Sequence, residues 1–269
     1  MPTPIGNLGD MTYRAVEVLK TVDLIAAEDT RTSLKLLKHY DIKKKLISYH
    51  KFNERKQSDN IITLLNEGRN VAIITDAGTP GISDPAEIIV KIAIKKDIQV
   101  CCLPGSTALI PALAASGLNT DKFTFAGFLP VKKKERTKLL SDLEKLSHTI
   151  VLYESSHRIK DTIKELSGIF TERQFVIARE ISKIYETYYR GTFDDISFID
   201  DIETRGEFVI LVKGKKEQEL TDDEVLKLLK KHNSAKTTLT ELVHTVTTLT
   251  GINRNRIYKL ALKLKKKNE

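Results

Sequence analysis

Apolar and polar positions follow two periods along this chain. Short apolar runs at 23–27, 46–50, 71–75 and 100–103 are the length of buried strands. Between them, apolar residues recur at helical spacing over 11–21, 33–39, 58–66 and 88–96. Strand–helix alternation up to about residue 117 predicts a parallel sheet covered on both faces. From 121 the texture changes. Strand patterns fall at 123–129, 149–154, 175–179, 187–191 and 208–212, with helical patterns at 135–146 and 157–166. TYYRGTF (187–193) and GEFVILVKG (206–214) read as antiparallel neighbours, which makes the second region a mixed-sheet α+β unit. A polar break, KKEQE, precedes three helical patterns at 222–231, 239–249 and 255–265. The last two flank TGIN, as in a helix-turn-helix. The expected division is therefore 1–117, 121–214 and 220–269.

Three loops in the first region are dense in Gly and Pro, and each opens a helix. They are TPIGNLGD (3–10), DAGTPGISDP (76–85) and LPGSTALIPALAASG (103–117). In parallel α/β sheets, ligands bind beyond the carboxyl ends of strands. Gly78 and Gly81 permit positive φ and close backbone approach, while Pro80 and Pro85 stiffen the second loop. Ser106 or Thr107 is placed to cap the helix after the third. Together the loops predict one small-ligand cleft. Neither GxGxxG nor GxxxxGK[ST] occurs, which argues against a usual NAD enzyme or a nucleoside-triphosphate enzyme.

Composition narrows the picture further. Apolar residues make up 41% of the chain, enough for a core. No apolar run reaches the length of a membrane span, and the N-terminus lacks the pattern of a secretory signal. The only cysteines, Cys101 and Cys102, are adjacent and lack metal-ligand spacing. They read as core residues of a strand in a reducing cytoplasm. Net charge is +8 and the pI about 9.2, favouring an acidic or nucleic-acid partner. The positive charge is concentrated at 132–138 and at 254–267, where the last helical pattern carries seven cations and no acid.

These loops, in this order, resemble the tetrapyrrole methylase superfamily. Further strings, AAEDTR (26–31), SYHKFNE (48–54), GFLP (127–130), YESSHR (153–158), ARE (178–180) and GEFV (206–209), are similar to the ribosomal RNA small subunit methyltransferase I family. The likeness runs from Thr3 to about Val212. It implies two α/β domains of tetrapyrrole-methylase type, the class III S-adenosylmethionine methyltransferases, with a small C-terminal helical unit. It also implies a cytoplasmic homodimer that uses S-adenosylmethionine to methylate the ribose 2′-oxygen of a cytidine in the decoding region of 16S rRNA. Asp76, Gly78, Thr79, Pro80, Ile82, Ser83, Pro104, Gly105, Thr107 and Ala108 would then hold the cofactor. AAEDTR and YESSHR would line the substrate side. Two departures stand out. Ser156 replaces the Pro usual in YESPHR, and the apolar strand that precedes TPIGN in the family has no counterpart before Met1-Pro2. The second leads us to expect a sheet strand without its neighbour, with reduced stability and weak cofactor binding.

A ribose hydroxyl needs help to lose its proton. Candidate bases are Glu28, Asp29, Glu154 and His157; an ion pair with Arg31 or a helix cap is the alternative role for Asp29. Arg31 and Arg158 suit phosphate, because guanidinium pairs with it in bidentate fashion. Arg254, Arg256, Lys263, Lys265, Lys266 and Lys267 are the expected RNA contacts in the tail; packing or dimerisation is the alternative for that unit. Two rival functions are a tetrapyrrole C-methyltransferase, which the basic tail and the AAEDTR and YESSHR strings disfavour, and a non-catalytic RNA-binding module.

Overall fold

The computed structural model describes residues 1–216, 220–233 and 237–266. It divides into two compact units, Met1–Lys215 and Lys216–Glu269.

The first unit contains two sheets. In the first, β1 (Leu24–Ala27) lies between β2 (Leu46–Ser48) and β3 (Val71–Ile74), all parallel. Alternation along β1 sends Ile25 and Ala27 into one apolar cluster and Ala26 into another. Helices α1 (Tyr13–Thr21) and α2 (Thr30–His39) place Leu19 and Leu37 in the first cluster. α3 (Glu54–Asn66) and α4 (Glu87–Lys95) place Ile61, Ile62 and Ile89 in the second. Both sheet faces are covered, which is why β1 is apolar at every position.

The expected fourth strand at 100–103 does not form. A strand needs a ladder to join, and 100–103 pairs with none of β1, β2 and β3. The Met1 amino group donates to the Ile73 carbonyl at 2.9 Å, and Thr3 forms a bridge with Gly78. Cys101 and Cys102 are consequently exposed rather than core residues.

The second sheet runs β4 (Phe123–Phe128), β5 (Thr149–Ser155), β8 (Glu207–Val212), β6 (Gln174–Arg179), β7 (Thr187–Thr192). Only β4 and β5 are parallel; the remaining pairs are antiparallel. The expected pairing of the 187–193 and 206–214 segments is thus corrected, because β6 inserts between β7 and β8 and bonds to both. α5 (Leu109–Ser116) packs on one face with Val151, Val176 and Leu211. α6 (Lys133–Glu144) and α7 (Ile159–Ser167) cover the other with Ile150, Ile177 and Ile210. Neither Ser106 nor Thr107 caps α5; its N-cap is Ala108, and the Ser106 hydroxyl donates to the Asp10 carbonyl instead.

Among the described residues, the second unit has three helices, α8 (Asp222–His232), α9 (Leu239–Thr250) and α10 (Arg254–Lys266). Capping boxes open α8 and α9, and Gly251 ends α9 in the left-handed conformation that a side chain resists. Val225, Leu229, Val243, Val246, Ile257 and Leu260 form a core of its own. Among the described residues, no helix is long and apolar enough to cross a membrane.

Candidate active site

The three loops converge. The Thr3 hydroxyl donates to the Thr75 carbonyl at 2.9 Å, and its amide donates to the Gly78 carbonyl. The Thr79 hydroxyl donates to the Ser106 carbonyl at 2.9 Å, tying the second loop to the third. A Cβ on Gly105 would sit 2.7 Å from Pro2, so the first and third loops also touch. Gly78 has a φ of +84°, and this reversal lets its backbone approach Ile5 and Ser106 together.

Beside the junction lies a cavity of about 430 Å³, within the range of small-molecule sites. The ends of β1 and β3 contribute Glu28, Thr75 and Asp76. The loops contribute Ile5, Ala77, Gly78, Thr79, Ile82, Ser83, Asp84, Thr107 and Ala108. The second sheet closes the far side with Phe128, Tyr153–Ser156 and Gly206–Val209. β8 runs antiparallel to β5, so its first residues lie beside the end of β5, with Glu207 opposite Ser155. Two chain-distant segments thereby meet on one wall.

Of the residues expected to hold a cofactor, Asp76, Gly78, Thr79, Ile82, Ser83, Thr107 and Ala108 line this cavity. Pro80, Pro104 and Gly105 do not, and shape the loops behind it. Sequence reasoning assigned no role to Thr75, Asp84 or the 206–209 segment, and placed Tyr153 only as part of YESSHR on the substrate side. Their signal was present, since all lie in or beside quoted strings at strand ends. Tyr153 accepts the Leu109 amide at its hydroxyl, and burial raises its pKa.

Every charged side chain on the cavity wall is acidic. The chain is cationic overall, yet Glu28, Asp76, Asp84 and Glu207 line the cavity with no Lys, Arg or His among its lining residues, and the carboxylate of Glu154, which also lines it, is fully buried against Arg158 and Thr162. Burial raises the pKa of Asp76, and burial with the nearby Glu28 pushes Asp84 up to about 6. Such a wall repels phosphate and favours a compact cation.

The candidate bases separate clearly. Glu28 faces the cavity and accepts the Thr75 hydroxyl and the Asp76 amide. Asp29 caps α2 and pairs with Arg31 at 2.9 Å; the hydrogen bonds from Arg31 hold its carboxyl at about 2. It is a cap and ion-pair partner, poorly suited to take protons. Glu154 is buried, holding the Arg158 guanidinium and the Thr162 hydroxyl, both at 2.8 Å. His157 is exposed and does not line the cavity.

Among the expected RNA contacts, Arg31 is exposed while remaining paired to Asp29. Arg158 is turned inward, reaching Glu154 and the Leu129 carbonyl. Arg256 bonds Asp222 and the Leu220 carbonyl within the second unit. Arg254 and Lys263 are exposed on α10. Lys267 lies outside the described residues, as do the side chains of Lys265 and Lys266.

Residues 2–197 match the family model for tetrapyrrole (corrin/porphyrin) methylases. The chain is 41% identical over 271 residues to the ribosomal RNA small subunit methyltransferase I of Synechocystis sp., covering 97% of this chain and 96% of that protein. It is 44% identical over 225 residues to the protein of that name from Bacillus subtilis, covering 83% and 77%. Among solved structures, diphthine synthase superposes with a TM-score of 0.65 at 10% identity, covering 80% of this chain and 88% of that one. Cobalt precorrin-4 methyltransferase gives 0.58 at 19%, covering 79% and 92%. These two likenesses speak to the fold. The convergent loops, the two sheets around one cavity and the full-length relatives agree: the chain is a methyltransferase belonging to the ribosomal RNA small subunit methyltransferase I family, within the tetrapyrrole methylases.

Proposed function

We propose that this protein methylates the ribose 2′-oxygen of a cytidine in the decoding region of 16S rRNA, using S-adenosylmethionine held in the cavity. The single observation that carries the cofactor reading is the anionic wall inside a cationic chain. S-adenosylmethionine is a sulfonium cation carrying an ammonium group, and its sulfonium supplies an activated methyl group. Carboxylates at Glu28, Asp76 and Asp84 favour such charges, while Ile5, Ile82 and Phe128 offer apolar surface to a nucleoside. Gly78, which has no side chain, lets a ligand approach the chain closely.

The substrate follows from the relatives, whose name specifies small-subunit ribosomal RNA. The chain's own contribution is positioning. Oriented reactants can lower a barrier by about 7–11 kcal/mol relative to the same groups free in water. The loops fix one reactant, and Ser155, Ser156 and Gly206–Val209 shape the opposite wall. RNA phosphates are excluded from this wall by its charge and fit the exposed cations Arg254, Lys259 and Lys263 of α10 instead.

The test is methyl transfer from labelled S-adenosylmethionine to small ribosomal subunits lacking the modification, followed by digestion to nucleosides. Label in 2′-O-methylcytidine is the expected result. Label in a base, or none in subunits or in naked 16S rRNA, would refute the substrate assignment.

A further inference from the structure

The string SYHKFNE (48–54) contributes nothing to the cavity lining. Within it stands the most exposed large apolar side chain among the described residues, Phe52, with 95% of its surface open to solvent. A lone apolar residue on a surface is ordinary. Phe52 differs in the frame that holds it, in its place on the sheet and in the charge around it.

The frame is closed by hydrogen bonds. The Asn53 side chain accepts the His50 amide at 2.8 Å and donates to the Ser48 carbonyl at 3.2 Å. The His50 carbonyl accepts the amides of Asn53 and Glu54, both at 2.9 Å. The His50 ring accepts the Phe52 amide at 3.3 Å and stands at 66° to the Phe52 ring, with centroids 6.0 Å apart. Beneath the turn, Tyr49 is buried and its amide donates to the Ala27 carbonyl. The backbone of the turn is thus satisfied from within, while the ring it carries is left in water.

The turn sits on the same sheet edge as the cavity. β2, β1 and β3 are parallel, and Ala27 lies opposite both Ser48 and Ile74. The chain therefore leaves all three strands on one side, where Glu28 and Thr75 line the cavity. In the order β2-β1-β3, the turn after β2 is two strand spacings, about 10 Å, across the sheet from the end of β3. The β1 loop, with the exposed Arg31, comes between. Lys51, Arg55 and Lys56 flank the ring; all are exposed and, among the described residues, form no ion pair. Glu54 is the one acid among residues 51–56. An aromatic ring set among cations suits a single-stranded nucleic acid, whose bases stack on the ring while its phosphates meet the charges.

We propose that Phe52 is a stacking platform for an unpaired base of the RNA substrate next to the nucleotide in the cavity, with Lys51, Arg55 and Lys56 holding the flanking phosphates. This inference rests on the RNA-substrate reading above and gives the strand a path: out of the cavity, past Arg31 and along the carboxyl edge of the first sheet. Every base has a face to stack, so the ring supplies affinity and direction rather than base identity.

The test compares wild type, F52A, F52L and F52W in methyl transfer to small subunits lacking the modification, with S-adenosylhomocysteine binding and melting temperature measured in parallel. F52A should raise KM for subunits by about 5- to 150-fold, with S-adenosylhomocysteine affinity and melting temperature kept. F52L should fail in the same way, because it has the bulk without the stacking face, and F52W should keep the wild-type KM. The chain has no tryptophan of its own, so the emission of F52W reports on this position alone and should be quenched as naked 16S rRNA binds. F52A at the wild-type KM, or unchanged F52W emission once the rRNA is bound in filter assays, would overturn the proposal. F52L matching wild type would also overturn it, in favour of apolar contact with a ribosomal protein. A changed sedimentation coefficient in F52A would do so in favour of a second copy of the chain. Wild type transferring no methyl group to the subunits would instead remove the RNA reading, and the platform with it.

Discussion

Glu154 shows why a conspicuous acid in a family string need not do chemistry. Its side chain is fully buried, and both oxygens are occupied, one by Arg158 and Ser155, the other by Thr162. Arg158 continues to the Leu129 carbonyl, fastening the end of β4 to the start of α7. Removing one partner of such a pair strands the other, which costs about 3–5 kcal/mol. Arg158→Ala should therefore lower the melting temperature strongly in calorimetry, with any loss of activity following from lost fold. An unchanged melting temperature with lost RNA binding would give Arg158 the phosphate role instead. The sequence placed Arg158 beside a motif but carried no signal of direction. Inward aim is set by Glu154, four residues earlier on β5, and by a carbonyl 29 residues distant, which spacing alone does not reveal.

At the scale of elements, strand-to-loop junctions were the legible part. Short apolar runs located β1 and β3, and the Gly- and Pro-rich stretch after β3 located a loop of the cavity, because buried parallel strands have few alternatives to that pattern. Partnership was less legible. The 100–103 run has the composition of a strand and lacks a ladder, while the 187–193 and 206–214 segments were adjacent in order but not in the sheet. Propensity is local, and pairing depends on what occupies the neighbouring edge. The Gly78 junction gives a direct check. A side chain there must adopt positive φ, costing about 1–2 kcal/mol, and its Cβ would come within 3.5 Å of Ile5. Gly78→Val should lower the melting temperature by several degrees and weaken S-adenosylhomocysteine binding in titration calorimetry. Binding at wild-type affinity would mean that the loop backbone is not part of the cofactor site.

At the scale of the whole molecule, charge is sorted by function. The cavity wall is acidic, while α10 exposes Arg254, Lys259 and Lys263 on a unit with its own core. Replacing those three cations with Gln should lower RNA affinity across sequences. It should also flatten the dependence of binding on salt, by about 0.7 in log–log slope for each single-strand phosphate no longer neutralised. Affinity and slope both matching wild type in filter binding across a salt series would take α10 off the RNA-binding surface. Arg256 is excluded from that triple change because it holds Asp222 and Leu220 in place.

The most direct measurement is a crystal structure of the protein with S-adenosylhomocysteine. The account predicts the nucleoside in the cavity bounded by Asp76–Thr79, Thr107–Ala108 and Gly206–Val209. Ligand density on another surface, or a cavity still empty in crystals grown at saturating ligand, would contradict it.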